Sequence, residues 1–60
     1  MKYKDFKNTE IYNNADILEV YSENTGFEFD FDFPEEELDE MEVVNFVVDD
    51  SGYVSVTLKG

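Results

Sequence analysis

Apolar and acidic residues alternate strictly along residues 27–33, where four phenylalanines are separated by three carboxylates. Successive side chains of a strand point to opposite faces, so this pattern predicts a strand with one apolar face and one anionic face. The predicted buried row comprises Phe27, Phe29, Phe31 and Phe33, and the predicted exposed row comprises Glu28, Asp30 and Asp32. Because an aromatic row needs a covering layer, we expect this segment to organise the fold.

Three further segments have the composition of strands: residues 16–22, 43–48 and 53–58. Clusters of turn-forming residues at 23–26 and 49–52, each ending in glycine, predict two antiparallel hairpins. One face of the resulting sheet is expected to collect the phenylalanine row together with Leu18, Val20, Val44, Phe46, Val48, Val54, Val56 and Leu58. Residues 43–48 are apolar on their second face too, which favours a strand that is covered on both sides.

Two segments have helical features. Thr9 is a suitable N-cap for a short helix over residues 10–15, and the spacing of Tyr3 and Phe6 leaves a longer helix open. Residues 34–41 begin with a proline followed by three glutamates, which suits the first turn of a short helix, with an acidic loop as the alternative. The predicted fold is therefore α+β, a single domain over residues 1–60. It has a four-stranded, mainly antiparallel sheet, a short N-terminal helical segment, and a short acidic helix or loop between the second and third strands.

Charge narrows the classes of partner. Sixteen acids and four lysines give a net charge of −12, and no basic residue lies between Asn8 and Leu58. Contacts to phosphate need lysine or arginine, so neither nucleic acid nor an anionic membrane is expected as a direct ligand. No apolar run approaches the roughly 20 residues of a membrane span, and the N-terminus is polar, unlike a secretory signal. Together with the absence of cysteine, this favours a cytoplasmic protein.

Enzymatic and metal chemistry have little support in the sequence. The chain contains no histidine, cysteine or arginine, and sixty residues leave little room for a closed pocket. A calcium-binding loop counted from Asp30 has Glu35 where glycine is required and Met41 where glutamate is required. We therefore expect no catalytic site, no cofactor and no dedicated metal site.

The acidic residues between positions 28 and 42 are the candidate partner-binding set. They are Glu28, Asp30, Asp32, Glu35, Glu36, Glu37, Asp39, Glu40 and Glu42. Carboxylates two apart on a strand repeat every ~6.6–6.8 Å, and phosphates repeat every 3.4 Å along each strand of a DNA duplex. A ladder of acids beside an acidic helix is therefore expected to approach the charge density of nucleic acid. In general character this is similar to the small acidic nucleic-acid mimics that phages and mobile elements use against host nucleases.

The hypothesis from sequence is a non-catalytic inhibitor that occupies the basic surface of a nucleic-acid-binding protein or nuclease. The alternative is a small homo-oligomeric structural or interaction module whose acidity serves solubility. A homodimer is expected in either case, because a chain of this size buries little surface and residues 43–48 are apolar on both faces.

Overall fold

Three short helices and three strands make up the fold, which a computed structural model describes over residues 1–60. In chain order the elements are α1 (Tyr3–Phe6), α2 (Glu10–Asn13), β1 (Ile17–Ser22), α3 (Glu35–Asp39), β2 (Glu42–Val48) and β3 (Tyr53–Lys59). The sheet order is β1-β3-β2, with β1 parallel and β2 antiparallel to β3. The fold is α+β, but the predicted four-stranded, mainly antiparallel sheet is wrong: the sheet has three strands and is mixed.

The segment expected to be the second strand, residues 27–33, pairs only briefly with β1. The amide of Ser22 donates to the carbonyl of Phe27, and the amide of Phe29 donates to the carbonyl of Val20, both at 2.9 Å. A turn then follows, in which the amide of Phe33 donates to the carbonyl of Asp30 at 3.0 Å. The first predicted hairpin therefore begins correctly at the 23–26 turn but ends after a single antiparallel bridge.

Like charges account for this early end. The bridge between Tyr21 and Glu28 sets a register that, if continued, would place Asp30 directly opposite Glu19. Two carboxylates directly opposite each other on neighbouring strands are destabilising. The chain leaves the sheet before this pair forms, and the expected buried row of four phenylalanines is therefore wrong. Phe27 and Phe31 are exposed, while Phe29 and Phe33 are partly buried, with ring centroids 4.9 Å apart.

The last strand occupies the centre of the sheet. It pairs with β1 on one side and with β2 on the other, and its inward row of Val54, Val56 and Leu58 is at most 2 % exposed. The predicted hairpin of β2 and β3 is confirmed. Its turn depends on Gly52, whose φ of +90° is strained for other residues and whose missing side chain leaves room for Asp16.

A β-bulge changes which residues of β2 face the core. Val43 pairs with Leu58 and Asn45 pairs with Thr57, so Val44 is an extra residue between them. The prediction that Val44 shares the core face is therefore wrong, and Val43 takes that place. After the bulge, Phe46 returns to the core face as predicted, opposite Val56.

The helices cover one face of the sheet. Thr9 caps α2 as predicted, by accepting a hydrogen bond from the amide of Tyr12, and α1 is a separate turn of helix rather than part of a longer one. The ring of Phe6, only 1 % exposed, contacts Phe46 at 5.4 Å between centroids. The predicted acidic helix is also present as α3, and its Leu38 is buried. The opposite face of the sheet carries no helix.

Candidate functional site

The nine carboxylates proposed from sequence follow one another through the loop of residues 27–34, helix α3 and the start of β2. The structure divides them into two groups. Four form ion pairs with cationic groups of the first seven residues: Glu35, Asp39, Glu40 and Glu42. The other five form no ion pair and are exposed: Glu28, Asp30, Asp32, Glu36 and Glu37. The structure thus reduces the set of acids that are free to meet a partner.

Lys7 is the most enclosed of the cations. Its ammonium group lies between two carboxylates of α3, Glu35 and Asp39, with 2.8 Å to the latter. The side chain is 20 % exposed, and its Nζ lies 5.5 Å from the centre of the Tyr3 ring. The hydrogen bonds that Lys7 donates to the carboxylates of Asp39 and then Glu35 raise the pKa of Lys7 above its ordinary value. Lys7 therefore remains charged at neutral pH and links the N-terminal helix to α3.

Glu40 lies between two further lysines. Its carboxylate oxygens accept hydrogen bonds from Lys2 at 2.8 Å and from Lys4 at 3.1 Å. These bonds lower the pKa of Glu40 and, reciprocally, the bond to Glu40 raises the pKa of Lys2. The N-terminal ammonium group pairs with Glu42 at 3.2 Å. All these groups are exposed, so each pair contributes little to stability, but together they neutralise the acids at this end of the stretch.

The loop of residues 27–34, which we call the acidic loop, combines free carboxylates with exposed aromatic rings. Phe27 is 76 % exposed and Phe31 is fully exposed, at 103 %. Phe31 is flanked in sequence by Asp30 and Asp32, neither of which is ion-paired. A single exposed apolar residue needs no explanation, but aromatic residues, phenylalanine included, are enriched at protein–protein interfaces relative to the rest of the surface.

A shallow cleft of about 250 Å³ lies beneath the acidic loop. Its floor is apolar and is formed by residues of the loop, of the β1 edge and of the two helices that pack there. The lining residues are Tyr3, Leu18, Val20, Phe29, Phe31, Phe33 and Leu38, with Glu28, Asp30 and Glu35 as its polar members. The cleft is open to solvent and smaller than the usual small-molecule site, so it suits contact with a protein side chain better than an enclosed ligand.

The helix-free side of the sheet, which we call the open face, carries a hydrogen-bonded cluster. The hydroxyls of Tyr21 and Tyr53 both donate to Oε1 of Glu19, at 2.5 and 2.6 Å. These bonds lower the pKa of Glu19, while the bond to Glu19 raises the pKa of each tyrosine. The lowered pKa makes Glu19 a weaker base, and the raised pKa values keep the two phenols protonated, so the cluster has the properties of neither an activated general base nor a phenolate nucleophile.

Sequence reasoning did not identify this cluster. The segment that contains Glu19 and Tyr21 and the segment that contains Tyr53 were assigned to different hairpins. The parallel pairing of β1 with β3, which sets Ile17 opposite Tyr53, brings the three side chains together. No local pattern marks that pairing, because thirty residues lie between the two strands.

Neither a metal site nor a membrane span is found. No three acidic side chains lie close enough together to hold a metal ion. No helix is long and apolar enough to cross a bilayer.

Comparisons with known proteins reveal no relative. A scan of protein-family models finds no match to the chain, and searches of curated proteins and of solved structures find no significant similarity.

Proposed function

We propose that this protein is a non-catalytic inhibitor that binds the basic surface of a nucleic-acid-binding protein or nuclease and thereby excludes nucleic acid from it. The contact surface consists of the acidic loop and the free acids of α3: Glu28, Asp30, Asp32, Glu36 and Glu37. We place its action in the cytoplasm, where such targets are abundant, and in the context of a phage or mobile element.

The observation that supports this proposal most strongly is the composition of the acidic loop. It presents three carboxylates without ion pairs together with the exposed rings of Phe27 and Phe31. A patch that served solubility alone would need the charges but not the rings, whose exposure to water is unfavourable. Proteins that bind single-stranded nucleic acid combine a positive groove with aromatic side chains on which bases stack. A negatively charged segment with projecting rings carries the complementary features.

Charge would act mainly on the rate of association. An acidic surface steers encounter with a basic one, and each exposed ion pair then contributes only ~0–1 kcal/mol. We therefore expect affinity to fall in steps as carboxylates are neutralised, rather than to disappear with one substitution. The exposed ring of Phe31 is expected to act as the anchor, because phenylalanine is enriched at interfaces and a few residues carry most of the binding energy there.

A pair of charge-matched variants tests the surface. The loop variant carries Glu28→Gln, Asp30→Asn and Asp32→Asn. The control variant carries Glu10→Gln, Glu23→Gln and Asp50→Asn, which are also exposed and also reduce the net charge from −12 to −9. Each protein is immobilised and used to capture proteins from a bacterial lysate at low salt, and the captured proteins are identified and quantified.

The proposal predicts that the wild-type protein and the control variant retain the same nucleic-acid-binding protein and that the loop variant loses it. Phe31→Ala should weaken the same contact at unchanged charge. Capture should also decline as salt is raised, because the free charges lie at the surface. Equal capture by the loop and control variants would show that overall acidity, and not this surface, attracts the partner.

A further inference from the structure

Most of the sheet edge is covered by the chain itself. The outer edge of β1 is occupied by residues 27–29 through the hydrogen bonds described above. The first part of the β2 edge is occupied by the N-terminus: the amide of Val43 donates to the carbonyl of Met1 at 2.7 Å, and the amide of Tyr3 donates to Met41 at 2.9 Å. No segment of the chain pairs with the edge over residues 44–48.

The backbone groups exposed at this edge follow from the pairing of β2 with β3. The amide of Asp49 donates to the carbonyl of Tyr53, so Asp49 directs its backbone towards β3. Backbone direction alternates along an antiparallel strand. Phe46 and Val48 therefore direct their amides and carbonyls away from the sheet, until the bulge at Val44 interrupts the alternation. Four hydrogen-bonding groups remain without a strand partner.

Natural proteins usually protect such an edge with lysine, proline or inward-pointing charge. Here residues 43–48 contain no charged residue and no proline. Phe46 is 39 % exposed, Val47 is 55 % exposed and Val48 is 53 % exposed. The other parts of the sheet edge are paired with segments of the same chain. This uncharged, apolar stretch of β2 is therefore the part of the edge that lacks a pairing strand.

We propose that a second copy of this chain pairs antiparallel with β2, about a two-fold axis at Val47, to form a continuous six-stranded sheet. In this register Phe46 lies opposite the partner's Val48, and Val48 lies opposite the partner's Phe46. Each of these pairs exchanges two backbone hydrogen bonds, so all four free groups are satisfied. The two Val47 side chains meet at the axis on the open face.

The charges near the edge favour a two-fold axis at Val47 over one at Phe46. About Val47, Asn45 lies opposite the partner's Asp49 and Val44 opposite the partner's Asp50, so no two carboxylates are directly opposed. A two-fold axis at Phe46 would instead set Glu42 opposite the partner's Asp50, which is destabilising. It would also leave Val48 opposite the bulged Val44, without its hydrogen bonds.

The effect of salt distinguishes self-association through β2 from binding of the acidic loop to a basic partner. Two copies with a net charge of −12 each repel one another at long range, and the interface itself contains no ion pair. Screening of that repulsion should strengthen self-association as salt is raised, whereas binding to a basic partner should weaken. The two proposals therefore fail or hold independently.

A charge placed at the axis tests the register. Val47→Lys sets two ammonium groups opposite each other at the proposed axis, while its exposed position leaves the core intact. The matched control is Ile17→Lys, because Ile17 is 57 % exposed on the same open face but lies in β1, away from the edge. Both substitutions change the net charge equally. Sedimentation equilibrium measures the mass of each protein from roughly micromolar to submillimolar concentration, at low and at high salt.

The expected result is a concentration-dependent dimer of the wild-type protein and of Ile17→Lys, at twice the 7.0 kDa monomer mass, that is strengthened by salt. Val47→Lys should raise the dissociation constant at least about tenfold, and mixing it with Val47→Glu should restore a heterodimer by setting opposite charges at the axis. A wild-type protein that stays monomeric at submillimolar concentration in high salt would overturn the proposal. So would a dimer that Val47→Lys and Ile17→Lys weaken equally.

Discussion

The effects of Phe6→Ala and Phe31→Ala on stability test the largest difference between the fold expected from sequence and the fold observed. The sequence pattern places Phe31 in the core and leaves Phe6 in a poorly defined N-terminal segment. The structure reverses this, because Phe6 is 1 % exposed and Phe31 is fully exposed. The Phe6 ring lies 6.4 Å from that of Tyr3, 6.3 Å from that of Tyr12 and 5.4 Å from that of Phe46, so it joins both N-terminal helices to the sheet.

The expected loss is large relative to the stability of so small a domain. Replacement of a buried phenylalanine by alanine costs about 3–5 kcal/mol, from lost burial and from the cavity that remains. Typical stabilities of about 0.05–0.15 kcal/mol per residue give about 3–9 kcal/mol for a chain of this length. Phe6→Ala should therefore unfold much of the population at room temperature. Phe31→Ala removes no buried contact and should change stability by less than about 0.5 kcal/mol.

Urea titration followed by far-ultraviolet circular dichroism measures both effects. With a denaturant dependence of about 1 kcal/mol per molar, the loss at Phe6 moves the midpoint by at least about 3 M or leaves no folded baseline. Phe31→Ala should follow the wild-type curve. If Phe31→Ala were as damaging as Phe6→Ala, the acidic loop would be packed against the sheet, and the exposed surface proposed for partner binding would not exist.

Two further predictions concern the turn of the second hairpin and the alkaline stability of the fold. In urea titrations, Gly52→Ala should lower the free energy of unfolding more than Gly26→Ala does. Both glycines have positive φ, but an added methyl group would collide with Asp16 at Gly52 and would meet no atom at Gly26. Burial raises the pKa of Tyr3 to about 12 from an ordinary value of 10.0, so its contribution to stability is fully present below pH 10 and is lost as the pH rises through about 12. The fall in the free energy of unfolding over this range should be smaller in Tyr3→Phe, and an equal fall in both proteins would contradict the assignment.

Local chemistry explains which elements could be predicted from sequence. The N-cap at Thr9, the proline that precedes α3 and the glycine of the second turn each act within a few residues, and each element is found where the pattern indicates. The bulge in β2 is different, because Val43 and Val44 are the same residue type. Nothing in the pattern shows which of the two faces the core.

Long-range pairing explains the rest. The alternation of residues 27–33 is a genuine strand pattern, but the register fixed by its own turn sets Asp30 against Glu19. That conflict appears only when the two segments are aligned with each other. The other edge of β1 pairs with β3, and the core is completed by Tyr3 and Phe6 rather than by the phenylalanine row. For the candidate site, the sequence supplied the nine acids but not the five ion pairs, because these join residues 28 to 41 positions apart.

Displacement by nucleic acid tests the proposed function most directly. The captured partner is held by the immobilised protein at low salt, and increasing amounts of an oligonucleotide are added, with an equal amount of uncharged polymer as control. If the acidic loop occupies the nucleic-acid groove, the oligonucleotide releases the partner in proportion to its own affinity for that partner, and the polymer releases none. A partner that binds the oligonucleotide and the immobilised protein simultaneously would contradict the account, because the two ligands would then occupy different sites.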